Sequence, residues 1–186
     1  DVNLELYDAL TILQHRGQDA AGMVTDSNGE LHQCKGEGLV RDVFRRSHML
    51  RLVGRFGVGH CRYPTAGSSG PAMAQPLYVN SPYGICIAHN GNLTNTGDLA
   101  EMVAKLEPPA KNERGATTDT EIMTALIGLQ DEKNVEASAL AVLPKLEGAF
   151  SLVFMDEHTL YAARDRHGVR PLVIGKLDRG WVVASE

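Results

Sequence analysis

The chain has 186 residues, 43% of them hydrophobic, with a formal net charge of −5 at pH 7. That is one domain's worth of chain, long enough to bury roughly 70% of its unfolded surface, and too apolar for a disordered or fibrous protein. The acidic balance argues against a nucleic-acid partner, three scattered cysteines form no disulfide framework and point to a reducing, cytoplasmic setting, and no apolar run is long enough to span a bilayer.

Val2, Leu6, Ala9, Leu10 and Leu13 fall on one face of an opening helix that ends at a turn over 14–17. Strands over 21–25 and 31–35 flank Asn28-Gly29, a two-residue hairpin signal. Residues 36–52 read as loop with short helices, whose Arg41, Arg45, Arg46 and Arg51 form a solvated basic face. Strands over 54–62 and 83–89 bracket a loop rich in Pro, Gly and Ser. A helix over 95–106 places Leu99, Met102, Val103 and Leu106 on one side, with Asn95 and Asp98 as caps and Glu107-Pro108-Pro109 as its stop. A polar stretch over 110–116 precedes helices over 120–129 and 135–146. Strands over 149–155, 159–164, 172–175 and 181–184 close the chain, so the pattern is α+β with mostly antiparallel hairpins.

Three stretches carry chemistry. The alternating run Tyr83, Ile85, Ile87 leads into His89-Asn90-Gly91-Asn92-Leu93. Asn90 brings a side-chain amide donor, and Gly91 lets a main-chain N–H approach a ligand without a Cβ in the way. Two such donors fixed at a strand end are what an oxyanion hole needs; the competing reading of Asn-Gly is a plain hairpin turn. In His60-Cys61-Arg62-Tyr63-Pro64-Thr65, Arg62 ends a strand beside the loop from Pro64 to Gly70. A guanidinium so placed suits a carboxylate, which it grips through two parallel hydrogen bonds, though a lone surface Arg is commonly just solvated. In Thr117-Thr118-Asp119-Thr120-Glu121, Thr118 and Glu121 have capping-box spacing, which puts Asp119 in a first helical turn. Its carboxylate either serves the helix dipole alone or binds an ammonium group. Together the three describe a site for a free amino acid with a carbonyl in its side chain. Seven dispersed histidines lack metal-ligand spacing, so no metal site is expected, and His60 and His89 read as hydrogen-bonded structural residues.

Five motifs now stand in order: Gln14-His15-Arg16-Gly17-Gln18-Asp19-Ala20-Ala21-Gly22, His60-Cys61-Arg62-Tyr63-Pro64-Thr65-Ala66-Gly67, His89-Asn90-Gly91-Asn92-Leu93, Thr118-Asp119-Thr120-Glu121 and Arg164-Asp165-Arg166-His167-Gly168-Val169-Arg170-Pro171-Leu172. The chain resembles, end to end, the glutaminase domain of the amidophosphoribosyltransferases. The last motif also resembles asparagine synthetases and places only the superfamily. Pro64, where glucosamine-6-phosphate synthases have Ala in Arg-Trp-Ala-Thr, favours the phosphoribosyl branch.

The resemblance implies the four-layer αββα sandwich of N-terminal nucleophile hydrolases. It implies hydrolysis of glutamine, with ammonia passed to phosphoribosyl pyrophosphate to give 5-phosphoribosylamine for purine synthesis. Asn90 and Gly91 would form the oxyanion hole, Arg62 would hold the α-carboxylate, Asp119 the α-amine, and Thr65 would be a further contact. Arg16 and Gly17 would line the pocket around the nucleophile's amine. The family nucleophile is an N-terminal cysteine followed by Gly-Ile, whereas this sequence opens Asp1-Val2-Asn3 and holds Cys34, Cys61 and Cys86 within strands. The expectation is a domain truncated at both ends, inactive by itself, with the phosphoribosyltransferase domain outside it. No cofactor is expected within these residues. The missing domain would bind Mg2+, some family members carry an iron–sulfur cluster, and the full-length enzyme would be a homo-oligomer. Two other readings remain: a glutamine-binding regulatory relative without catalysis, and another glutamine amidotransferase.

Overall fold

The computed structural model describes residues 1–63, 73–80, 84–106, 118–130 and 132–186. The elements follow the expected order, with one short strand, Leu77–Val79, added where the sequence read as loop. Helix α1 (Val2–Ile12) runs into a 3-10 turn (Leu13–Arg16) and then strands β1 (Ala20–Ser27) and β2 (Glu30–Glu37). Asn28 and Gly29, at φ 56° and 84°, make the two-residue turn between them. Two short helices, α2 (Val40–Val43) and α3 (Arg46–Met49), lead to β3 (Phe56–Arg62). Then come β4 (Leu77–Val79), β5 (Ile85–Leu93), α4 (Thr96–Leu106), α5 (Asp119–Leu129), α6 (Val135–Val142), β6 (Gly148–Met155), β7 (Leu160–Arg164), β8 (Val173–Leu177) and β9 (Gly180–Ala184).

Two antiparallel sheets, β2-β1-β3 and β4-β5-β6-β7, form the middle of the molecule, and β8-β9 is a separate hairpin. Three apolar clusters show how the layers stack. Leu10, Met23, Val43, Phe44 and Leu52 join α1 and α2 to one face of the first sheet. Val24, Val58, Cys86, Ala88 and Met155 fill the space between the sheets. Ile87, Leu99, Met123, Leu126, Val142 and Phe154 join α4, α5 and α6 to the outer face of the second. The order is helices, sheet, sheet, helices: the four-layer αββα sandwich.

Local signals explain most boundaries. The Thr118–Glu121 capping box is present in both directions, with Glu121 N donating to Thr118 Oγ1 at 3.3 Å and Thr118 N donating to Glu121 Oε2 at 2.9 Å. Asn134 caps α6 through Ala137 N at 2.9 Å. Pro144 ends α6 early, and residues 143–145 tighten into a 3-10 turn instead of carrying the helix to 146. Asn95 takes the N-cap place of α4, its carbonyl accepting from Leu99 N at 3.2 Å, but its side chain does not bond the first turn. Its amide is spent across the layer, donating to Lys145 O at 2.9 Å and accepting from Glu147 N at 3.1 Å. Strand β3 begins at Phe56, not 54. The polar stretch over 110–116 lies outside the described residues.

Candidate active site

Strand β5 does not stop at His89 or turn at Asn90-Gly91. It continues in register along β6, with Asn90 opposite Ser151, Gly91 opposite Phe150 and Leu93 opposite Gly148. The hairpin alternative for Asn-Gly is therefore overturned. Gly91 holds φ 134°, and a Cβ there would lie 2.0 Å from Ala149 O, so only glycine fits this crossing.

The ladder sets where the Gly91 N–H points. Phe150 directs both main-chain groups towards Asp165: its N–H donates to Asp165 Oδ2 at 3.2 Å and its carbonyl accepts from Asp165 N at 2.9 Å. The Gly91–Phe150 pair is thus not hydrogen-bonded across β5–β6, and the Gly91 N–H faces the opposite edge of β5. Strand β4 covers that edge only at Ile85, Cys86 and Ile87. Beyond it, side chains take over. His89 N donates to Gln75 Oε1 at 2.7 Å, and Leu93 N donates to Asp119 Oδ2 at 2.7 Å. Gly91, midway between those two capped positions, turns its donor to the same edge.

Asn90 lies on the other face, towards the first sheet. Its Oδ1 is 3.3 Å from His60 Nε2 on β3. Two residues along β3, on the same face, Arg62 is 8% exposed and forms an ion pair with Asp19, Nη1 to Oδ2 at 2.5 Å. It is no solvated surface residue. The Arg62 carbonyl accepts from Asp19 N at 3.0 Å, so this segment is fastened to β3 by main chain as well. Gly17 explains how it comes so close: a Cβ there would meet the Arg62 carbonyl carbon at 2.5 Å. Gln14 holds the turn from behind, donating to Gly17 O at 2.6 Å and accepting from Val40 N at 2.7 Å. Arg16 pairs with Glu186 at 3.1 Å, and His15 Nε2 lies 2.6 Å from the same carboxylate.

Asp119 opens α5, where its charge also meets the positive end of the helix. Beside it, His89 Nδ1 lies 3.2 Å from Thr120 Oγ1, which accepts from Gln75 Nε2 at 3.3 Å. Burial pushes the His89 imidazole down to about 4, against the opposing pull of the Asp119 carboxylate. Burial likewise pushes His60 down to about 4. Both rings are neutral at pH 7, as structural histidines should be. One ring nitrogen of each, His60 Nδ1 and His89 Nε2, is buried without a partner among the described residues.

The structure thus brings Asn90, Gly91, Arg62 and Asp119 to one end of the two sheets, with Gly17 behind Arg62. Thr65 and the loop from Pro64 to Gly70 lie outside the described residues. Sequence reasoning gave no role to Asp19, although it stood in the first quoted motif, and Gln75 carried no local signal at all. The cysteines are thiols at neutral pH. Burial pushes Cys61 up to about 11 and raises Cys86 and Cys34 as well. Among the described residues no three His, Cys, Asp or Glu side chains are placed to hold a metal ion, and no helix is long and apolar enough to cross a membrane. A hollow of about 470 Å3, lined by Asp26, Asn28, Arg55, Glu157 and His158, lies at the far end of the sheets, by the β1–β2 turn.

Known proteins share this fold. A family profile described as a glutamine amidotransferase domain matches residues 64–186. Amidophosphoribosyltransferase of Escherichia coli is 46% identical over 201 aligned positions, covering 100% of this chain and 39% of that protein. The Mycobacterium leprae enzyme of the same name is also 46% identical, covering 97% of this chain and 33% of its own length. Among solved structures, the glutamine phosphoribosylpyrophosphate amidotransferase of B. subtilis, complexed with ADP and GMP, superimposes with a TM-score of 0.84 at 32% identity over 97% of this chain and 39% of its own. A structure described as the allosteric regulatory enzyme of purine biosynthesis reaches 0.88 at 33% identity, covering 98% and 39%. The chain spans roughly two fifths or less of the length of these relatives, and it belongs to the glutamine amidotransferase domain family.

Proposed function

We propose that this chain is the glutamine-hydrolysing domain of an amidophosphoribosyltransferase. The observation that carries the proposal is the pair of donors on β5, the Asn90 amide and the Gly91 N–H. Gly91 is locked by a backbone that admits no side chain, and Asn90 is held from the facing sheet. A side-chain amide is a poor electrophile, so its hydrolysis needs charge stabilisation as the carbonyl oxygen becomes an oxyanion. Arg62 holds the α-carboxylate of the substrate, its guanidinium aimed by Asp19. Asp119 receives the α-ammonium, with one carboxylate oxygen already anchored on Leu93 N. Thr65 adds a contact from its loop, and Arg16 and Gly17 flank the nucleophile. By family resemblance the nucleophile is an N-terminal cysteine thiol whose own α-amine, with a pKa of about 7.7–8.0, takes the proton. Cys34, Cys61 and Cys86 do not serve, since burial keeps them protonated. The ammonia released is consumed by phosphoribosyl pyrophosphate at a phosphoribosyltransferase domain. The names and the greater length of the relatives support that step.

The test is ammonia release from L-glutamine by the enzyme expressed from its gene. Asn90→Ala should lower kcat by roughly 10²–10³-fold and leave synthesis from added ammonia intact, while Cys61→Ser should change neither. Loss of both activities in Asn90→Ala would make Asn90 a folding residue. No turnover by the unaltered enzyme would favour a regulatory, glutamine-binding role.

A further inference from the structure

A side-chain amide has two faces: an acceptor oxygen and a donor nitrogen. Asn90 can stabilise an oxyanion only if its nitrogen is turned to the substrate, and rotation by half a turn would present a repelling oxygen instead. Something must choose between the two. The Asn90 Oδ1 faces His60 Nε2 at 3.3 Å across the space between the sheets. His60 is 9% exposed and comes from the middle of β3, so its ring is fixed by a rigid element rather than by a loop. Resting on the proposed glutaminase reading, we infer that His60 is a positioning residue: its Nε2–H holds Asn90 Oδ1 and so turns the Asn90 Nδ2 donor towards the reacting carbonyl.

The ring's own chemistry fits this task. A neutral imidazole carries one proton, and here the acceptor opposite Nε2 calls it to that nitrogen. Nδ1, buried without a partner among the described residues, is then a bare acceptor, which needs no donor as urgently as a buried N–H needs an acceptor. The opposite tautomer would strand an N–H at Nδ1 and invite the flipped amide. A hydrophobic residue at position 60 would offer Asn90 neither choice and release the rotor.

The experiment is a mutant cycle in the enzyme expressed from its gene, following glutamine hydrolysis. His60→Leu should lower kcat about tenfold, with KM for glutamine unchanged within about twofold. His60→Gln, which keeps a donor at similar reach, should retain most of the activity. In an Asn90→Ala background His60→Leu should cause no further loss, because there is no amide left to orient. A merely structural histidine would show the same loss in both backgrounds and no rescue by glutamine. Where His60→Leu does not fold, His60→Met, which fills the ring's volume with an apolar chain, gives the same readings. Unchanged kcat in the donor-free variant, a raised KM in its place, or additive losses would overturn the inference alone. Absence of glutamine hydrolysis by the unaltered enzyme would instead overturn the functional reading on which it rests.

Discussion

Arg62 shows how a single residue acquires its direction. A long flexible side chain loses up to about 2 kcal/mol of rotamer entropy when it is fixed. Asp19 meets that cost within the protein, before any ligand arrives, through an ion pair that leaves Asp19 itself 23% exposed. Asp19→Ala removes this ion pair from a guanidinium that is nearly buried. The expected loss of stability is on the order of 2 kcal/mol, below the 3–5 kcal/mol of a fully buried pair because water reaches Asp19. The same variant should bind glutamine more weakly, since its carboxylate would meet an unaimed cation. Urea unfolding together with KM for glutamine checks both. Stability within a few tenths of a kcal/mol of wild type would mean that Arg62 orients itself without Asp19.

At the scale of elements, β5 is where local patterning and tertiary structure part. Asn-Gly is a strong turn signal when two residues must reverse the chain, and at Asn28-Gly29 it does so. At Asn90-Gly91 the same dipeptide lies inside a strand, because β6 pairs with it up to Leu93. Here glycine answers the close passage of Ala149, not a reversal. Gly91→Ala should therefore cost at least about 2 kcal/mol in urea unfolding, as strain at φ 134° adds to the clash, whereas Asn92→Ala at the exposed next position should cost little. A well-folded, fully stable Gly91→Ala would show that the strand can relax away from β6. What could be read from the sequence had local causes: the α1 periodicity, the β1–β2 turn and the Thr118–Glu121 box. What could not be read joins distant positions. Asp19 reaches Arg62 across 43 residues, Asn95 reaches Lys145 across 50, and Gln75 caps His89 across 14. The inner strands add a further difficulty. Strand β1 is buried at nearly every position because layers cover both faces, so the alternation that marks a half-buried strand is absent.

On the scale of the whole molecule, the sandwich buries one imidazole on each sheet, His60 between the two sheets and His89 between the second sheet and α5. The unfolded chain takes up protons on His60 and His89 near 6.5, but the folded chain does so only near 4. Between those values the unfolded state binds more protons, so stability falls as pH drops through this window and is level above it. At about 1.4 kcal/mol per unit, each ring contributes at most on the order of 3 kcal/mol. Asp165 acts lower on the scale. Burial pulls its carboxyl up, but the main-chain N–H groups of His167, Phe150, Val169 and Gly168 outweigh this and hold it below the ordinary range. Its share is complete above the ordinary carboxylate pKa and is lost only in stronger acid. Urea unfolding at pH 7.5, 6, 5 and 4 should therefore show a fall that begins well before carboxylates protonate, and His89→Gln should flatten it by about half. A free energy independent of pH across that window would mean that the two rings are solvated or charged in the folded protein. At neutral pH His60 would still carry a single proton, so it is the mutant cycle, not this titration, that decides whether its tautomer orients Asn90.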